Sequence, residues 1–315
     1  MHTRDDVCVL IPTYNEAAAI GDVIDGFQAE GLENVLVIDG GSRDDTQEIA
    51  AEHGARVVEQ SGSGKGQAVR EAFEYIDAPY VLMVDGDGTY RPADADALLE
   101  PLLSGDADHV IGNRFADMES GAMTRLNRVG NRLINRAFAG IHGRNFVDIL
   151  SGYRAMTRDS IERFDLTSAG FGIETELSVE CVKHNITTEV VPIRYESRPE
   201  DTETNLRPFR DGAVILLTLY RMAKTNNPLF YFGSVGTASL LVGALLGVYV
   251  AVEWFTRNIS HEVIALVAAV GIIFGVQLLV FGVLSDMIVK LHREQMHRLD
   301  QVLDADRKTE DGSRD

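Results

Sequence analysis

Three apolar runs, residues 7–11, 35–38 and 80–84, and the short strand-like segment 56–58 recur along the first part of the chain, each followed by polar, glycine-bearing punctuation. Segments of helical composition, 17–29, 46–51 and 67–75, lie between them. Short continuous apolar runs predict strands buried on both faces. Strand, loop and helix in alternation predict an α/β unit with a parallel sheet covered by helices. Farther on, 171–184 reads as a helix, 190–193 as a late strand and 208–227 as an amphipathic, interfacial helix. The pattern then changes. Residues 228–252 and 263–285 hold no charged side chain, and each is long enough to cross a bilayer, with 256–261 as a tight hairpin between them. The polar end, 304–315, is expected to be disordered.

Charge narrows the picture. The 315 residues carry a formal net charge of -19, which disfavours a nucleic-acid binder and fits a protein kept hydrated in high salt. The two cysteines, Cys8 and Cys181, form neither a disulfide framework nor a zinc pattern. No apolar leader precedes the first strand, so the N-terminal part is expected in the cytoplasm. Arg221 and Lys224 precede the first apolar helix, and Lys290, His292 and Arg293 follow the second, so both ends are expected inside. Gly233, Gly236, Gly243 and Gly247 allow close helix contact, within the pair or between protomers of a homo-oligomer.

The chemistry sits at the predicted strand ends, which share one edge of a parallel sheet. The fourth strand runs into Asp85-Gly86-Asp87-Gly88-Thr89-Tyr90. Two carboxylates there can share a hard cation with phosphate oxygens. Asp39 ends the second strand and can accept hydrogen bonds from a base or ribose, and Ser42 follows it. Lys65, between Gly64 and Gly66, is a mobile charge suited to phosphate. The loop lacks the Walker A spacing, and no G-x-G-x-x-G follows the first strand. Arg125, Arg128, Arg132 and Arg136 recur at helical spacing, flanked by Arg114 and Arg144, a basic surface suited to a lipid phosphate.

Ile11 to Glu16, Asp39 to Thr46, Gly64 to Gly66, Asp85 to Tyr90, Gly112-Asn113-Arg114, Asp148 to Arg154, and Arg198 with the 205–212 stretch together resemble the inverting family-2 glycosyltransferases of GT-A fold. Within that family the likeness is to dolichyl-phosphate hexose synthases. The resemblance implies a GT-A-type nucleotide-sugar-binding domain with a mostly parallel sheet over 1–207, an interfacial helix over 208–227, a transmembrane hairpin over 228–286 and a cytoplasmic tail over 287–315. It implies Mg²⁺ or Mn²⁺ at Asp85 and Asp87. It places the donor against Pro12, Tyr14, Glu16, Asp39, Ser42, Lys65 and Asp85. It places the acceptor phosphate against Arg114, Arg128, Asn131, Arg132, Ser151, Glu174 and Glu176, and it names Asp87, Asp148 and Arg198 as catalytic. Thr89 departs from the pattern, standing where many relatives carry Gln. The implied reaction moves a hexose from a nucleotide sugar, UDP-glucose ahead of GDP-mannose, to dolichyl (polyprenyl) phosphate at the cytoplasmic face, for protein N-glycosylation. A processive polysaccharide synthase is disfavoured, because the single tryptophan, Trp254, lies in an apolar helix and forms no Q-x-x-R-W motif. A non-catalytic glycolipid carrier is the rival from another class.

Overall fold

The structure is a computed structural model that describes residues 3–168, 170, 172–198 and 208–311. The chain divides into two compact units, Met1–Leu219 and Tyr220–Asp315.

The first unit is built on a seven-stranded sheet. The strands are β1 (Val7–Thr13), β2 (Val35–Asp39), β3 (Arg56–Glu59), β4 (Tyr80–Met83), β5 (His109–Met118), β6 (Arg154–Thr157) and β7 (Thr188–Tyr195), in the order β3-β2-β1-β4-β6-β5-β7. β3, β2, β1 and β4 are parallel neighbours, as are β5 and β7, while β6 runs antiparallel to both β4 and β5. The sheet is therefore mixed and mostly parallel. β1 is buried at every position. Val7, Val9 and Ile11 pack toward helices α1 (Ile20–Ala29), α2 (Thr46–Glu52) and α4 (Ala95–Leu103). Cys8 and Leu10 pack on the opposite side, toward α3 (Lys65–Ala72) and α7 (Ile173–Lys183). Alternate residues of one strand thus feed two apolar layers, which is why the run reads as continuously hydrophobic.

The five predicted strands are all present, as β1 to β4 and β7, but two strands, β5 and β6, were not foreseen. Gly112-Asn113-Arg114, read as a loop, lies inside β5. A Cβ at Gly112 would stand 2.7 Å from Cδ1 of Ile193, so this glycine serves close packing between β5 and β7 and not a turn. β6 begins at Arg154, the last residue of the Asp148 to Arg154 motif, and runs on to Thr157. Two further helices complete the unit, α5 (Arg125–His142) and the short α6 (Arg158–Glu162), and α8 (Pro208–Asn226) passes from the first unit into the second.

In the second unit, α9 (Pro228–Arg257) and α10 (Glu262–Asp311) form an antiparallel pair. Pro228–Arg257 and Glu262–Leu291 are each long and apolar enough to cross a membrane, and most of their large apolar side chains face outward. The helices meet where a Cβ on Gly236 would press on the Gly275 carbonyl, and one on Gly243 on the Ala268 carbonyl. Ser239 adds a hydrogen bond to the Gly271 carbonyl at 2.9 Å. Gly247 has nothing within 4 Å and Gly233 touches only Leu279, so only two of the four expected glycines serve this contact. Their partners on α10, Gly271 and Gly275, were not singled out. The stretch from Asp304, expected to lack structure, continues as helix to Asp311, in keeping with its Lys, Arg, Glu and Ala content. The 205–207 part of the family-like stretch lies outside the described residues.

Candidate active site

The C-terminal ends of β1, β2 and β4 lie side by side, with Thr13 paired in register to Asp39. Pro12 is buried in β1 opposite Ile38, so it shapes the strand end. Beyond it, Asn15 adopts a left-handed backbone (φ 57°), a conformation asparagine tolerates better than most residues. Its N–H donates to the Ser42 hydroxyl at 2.8 Å, and its side-chain oxygen accepts from the Arg43 N–H at 2.8 Å. The Glu16 N–H donates to the Thr46 hydroxyl at 2.9 Å. The two loops are stitched together and leave Tyr14 projecting, 41% exposed.

Asp39 is the knot of that stitching. Its fully buried carboxylate accepts from Thr13 Oγ1 (3.1 Å), Gly41 N (2.9 Å), Ser42 N (2.7 Å), Ser42 Oγ (2.5 Å) and Gln47 Nε2 (2.8 Å). A carboxylate offers about four lone-pair sites. A base or ribose would reach Asp39 only by displacing one of these donors. Asp39 and the Ser42 hydroxyl, expected as direct donor contacts, therefore hold the loop, which meets solvent through its backbone and Tyr14.

The acidic corner follows β4. A Cβ at Gly86 would stand 2.9 Å from Thr13 Cγ2, so only glycine lets the chain turn here against β1. A Cβ at Gly152 would collide with the Asp85 carboxylate. The Gly152 N–H donates to the Tyr90 hydroxyl at 2.9 Å. Asp85 pairs with Lys65, which also pairs with Glu174 on the first turn of α7. Burial disfavours the lysine ammonium, but Asp85 and Glu174 outweigh it and hold Lys65 above the ordinary lysine range. Asp87 receives the Thr89 hydroxyl at 2.6 Å and the Thr89 N–H at 3.1 Å on one oxygen. Its other oxygen lies 2.7 Å from Arg198 Nη2. Thr89 thus orients Asp87. Arg198 also lies 3.9 Å from Glu16. Burial, and then the neighbouring Asp87 charge, raise the Glu16 carboxyl to about 7, against the opposing pull of Arg198.

A second centre lies on β5. Arg114 Nε and Nη2 donate to the two oxygens of Asp148 at 2.8 Å each, and the Arg114 N–H adds a third bond at 3.1 Å. The guanidinium sits 5.4 Å from the Tyr195 ring centre. Asp148 has no exposed surface. Expected among the catalytic groups, it is instead the buried counter-ion that aims Arg114. Val147, just before it, is a β-branched residue at φ 59°, a costly conformation that the surrounding turn imposes. Ser151 is likewise buried, and its carbonyl accepts from Arg154 Nε at 2.9 Å. Arg154, fully buried, also binds the Ile149 carbonyl (2.7 Å) and Ser178 Oγ (3.0 Å), and lies 3.2 Å from His109 Nε2. Burial keeps that histidine well below its ordinary value and so neutral.

Glu174 and Glu176 separate. Two residues apart on a helix, they point to different sides. Glu176 is buried and accepts from Thr167 N (2.9 Å), Thr167 Oγ1 (2.7 Å) and Ser168 N (2.8 Å), which anchors a loop. Helix α5 begins at a Thr124 cap. Arg125, Arg132 and Arg136 are exposed beside Leu126, Val129 and Leu133, which are 51%, 63% and 58% exposed. Arg128 departs from the expected stripe: it is half-buried, with Nη2 3.1 Å from Met118 Sδ. Asn131 turns toward Met123 Sδ at 3.3 Å. Asn135, not foreseen, accepts from the Ile149 N–H at 2.9 Å and links α5 to the Asp148 turn. Tyr90, Tyr195 and His109 were also missed, since nothing in sequence separates them from ordinary core residues.

Hard-oxygen ligands at a strand's carboxyl end, a phosphate-sized set of cations beside them and a mixed sheet of this order are the parts of a nucleotide-sugar enzyme. The chain belongs to the family 2 glycosyl transferases, whose family model matches residues 8–164, and it is a glycosyltransferase. It is 66% identical over 303 residues to glycosyltransferase AglJ of Haloferax volcanii, covering 96% of this chain and 100% of that relative. A dolichyl-phosphate hexose transferase of the same organism is 36% identical over 216 residues, covering 68% of this chain and 92% of the relative. Among solved structures, glucosyl-3-phosphoglycerate synthase from Mycobacterium tuberculosis, in complex with Mn²⁺, UDP-glucose and phosphoglyceric acid, superposes with a TM-score of 0.58. It covers 69% of this chain and 79% of that one at 22% identity, a likeness that shows the GT-A fold.

Proposed function

We propose that this protein transfers a hexose from a nucleotide diphosphate sugar, UDP-glucose as first candidate and GDP-mannose as second, to dolichyl phosphate at the cytoplasmic membrane face, with inversion, for a protein N-glycan. The observation that carries the reading is the corner where Asp85 and Asp87 are faced by Lys65 and Arg198. The dolichyl-phosphate hexose transferase among the relatives supports the acceptor.

The corner's donor set is the hard carboxylate oxygen of Asp85 and Asp87, which fits Mg²⁺ or Mn²⁺. Such an ion supplies charge neutralisation of the departing diphosphate. Lys65 and Arg198, long side chains already aimed at the corner, bind the diphosphate oxygens. Tyr14 and the loop tied by Asp39 receive the nucleoside. Arg114, aimed by Asp148 and backed by the Tyr195 ring, receives the acceptor phosphate. That phosphate is an anion at neutral pH, so the attack needs no general base, and the burial of Asp148 is compatible with the chemistry. Attack in line with the departing diphosphate inverts the anomeric carbon.

α9 and the apolar part of α10 are read as membrane spans, with Arg221, Lys224 and Lys290 on the cytoplasmic side. Reporter fusions at the N-terminus and after residue 293 should both report cytoplasm, and one at residues 258–261 the outside. An external C-terminal reporter would refute the orientation. The activity is tested by incubating membranes containing the protein with dolichyl phosphate and labelled UDP-glucose, GDP-mannose or UDP-N-acetylglucosamine in high salt. Labelled dolichyl-phosphate hexose is the expected product, and its absence with every donor would sink the proposal.

A further inference from the structure

We propose that Glu119 is a positioning residue that fixes the segment carrying Arg198 to the turn launching helix α5, so that the presentation of Arg198 at the Asp87 corner depends on the arginine-bearing helix. This rests on the reading above in which Arg198 serves the departing diphosphate.

Glu119 stands one residue beyond β5 and is bonded in three directions. Its N–H donates to the carbonyl of Tyr195, the last residue of β7, at 2.9 Å. Its own carbonyl accepts from the Ala122 N–H at 3.2 Å, closing the turn that leads to the Thr124 cap of α5. Its carboxylate Oε2 accepts from the Ser197 N–H at 2.7 Å, next to Arg198. The Ser197 amide holds the Glu119 carboxyl below the usual carboxylate range, so it is ionised and makes a charge-assisted bond. On the other side of the same segment, the Glu196 N–H donates to the Thr89 carbonyl at 2.9 Å, and Thr89 is the residue that orients Asp87.

Residues 196–198 are thus gripped between the acidic corner and Glu119. Arg198 reaches Asp87 from the end of that grip. A guanidinium on a long, flexible stem inherits any slack in its backbone, and small misplacements at a reacting centre cost rate. The Glu119 contact is solvent-exposed. It therefore contributes little to the stability of the fold, and its removal can be read in the folded enzyme. The alternative is an ordinary surface hydrogen bond with no bearing on Arg198.

A double-mutant cycle separates the two. Glu119→Ala should lower kcat about tenfold, the scale of a modest misplacement, with the melting temperature nearly unchanged. Glu119→Gln, whose side-chain oxygen still accepts from Ser197, should recover most of the loss. In an Arg198→Ala background, adding Glu119→Ala should lower kcat by less than about twofold, because the group it positions is gone. Equal losses in both backgrounds, or a glutamine variant as poor as the alanine one, would overturn the positioning role and leave Arg198 untouched. Arg198→Ala with wild-type turnover would instead overturn the role given to Arg198, and this proposal with it.

Discussion

Arg114 and Asp148 hold each other in a two-pronged pair that excludes solvent, with both contacts at 2.8 Å and the aspartate fully buried. A carboxylate so enclosed has no surface to offer a substrate. Its effect reaches the reaction through the arginine that it aims, while a strand and a turn 34 residues apart are locked together.

The first prediction follows from that pair. Removing one partner leaves a buried charge without compensation, at roughly 3–5 kcal/mol. Asp148→Ala should lower the melting temperature clearly and raise the KM for dolichyl phosphate more than that for the nucleotide sugar. A stable variant with altered donor KM alone would contradict the assignment.

Asp87 predicts the opposite pattern. It is buried, but its partners are Thr89 of its own turn and the half-buried Arg198, and the role proposed for it is in chemistry more than in folding. Asp87→Ala should lose at least 100-fold in kcat, in line with the several kcal/mol of charge stabilisation a metal supplies, while melting near the wild type. EDTA should silence the wild type, and Mg²⁺ or Mn²⁺ should restore it. Full turnover in EDTA would remove the ion from the mechanism.

Glu16 makes a pH prediction in metal-free protein. Its carboxyl is raised from 4.5 to about 7 in the folded state. Between those values the folded state holds more of the proton than the unfolded state, so stability is greatest at low pH and falls as pH rises through about 7. Glu16→Gln should flatten that part of a melting-temperature profile taken in EDTA. An unchanged slope between pH 5 and pH 7.5 would show that Glu16 titrates normally.

The exposed arginines of α5 give a kinetic test. Near an anionic membrane each basic residue contributes about 1 kcal/mol. Arg132→Ala with Arg136→Ala should raise the apparent KM for dolichyl phosphate several-fold and leave the nucleotide-sugar KM alone. Equal changes in both, or a fall in melting temperature, would mark a structural helix.

Much of the fold was legible because β1, β2 and β4 are buried at every position, and such strands announce themselves as unbroken apolar runs. The acidic corner was legible because Asp85, Gly86 and Asp87 follow such a run directly. β5 was hidden: glycine, asparagine and arginine read as turn chemistry, and Gly112 is there to clear Ile193, a neighbour 81 residues away in the chain. Asp148 was read as reactive because its partner Arg114 lies 34 residues away in sequence, and pairing cannot be read from one strand at a time. Glu174 and Glu176 looked alike for the same reason, since nothing local says that one meets Lys65 and the other a loop amide. Glu119 carried no signal, being one acid in a chain with 48.

The acidic corner has a consequence for which ion it prefers. Lys65 is shared by Asp85 and Glu174, and Arg198 lies against Asp87 and 3.9 Å from Glu16, so two cations answer four carboxyl groups. An ion of two charges beside Asp85 and Asp87 makes good more of that shortfall than an ion of one. Such a corner discriminates by valence before it discriminates by radius.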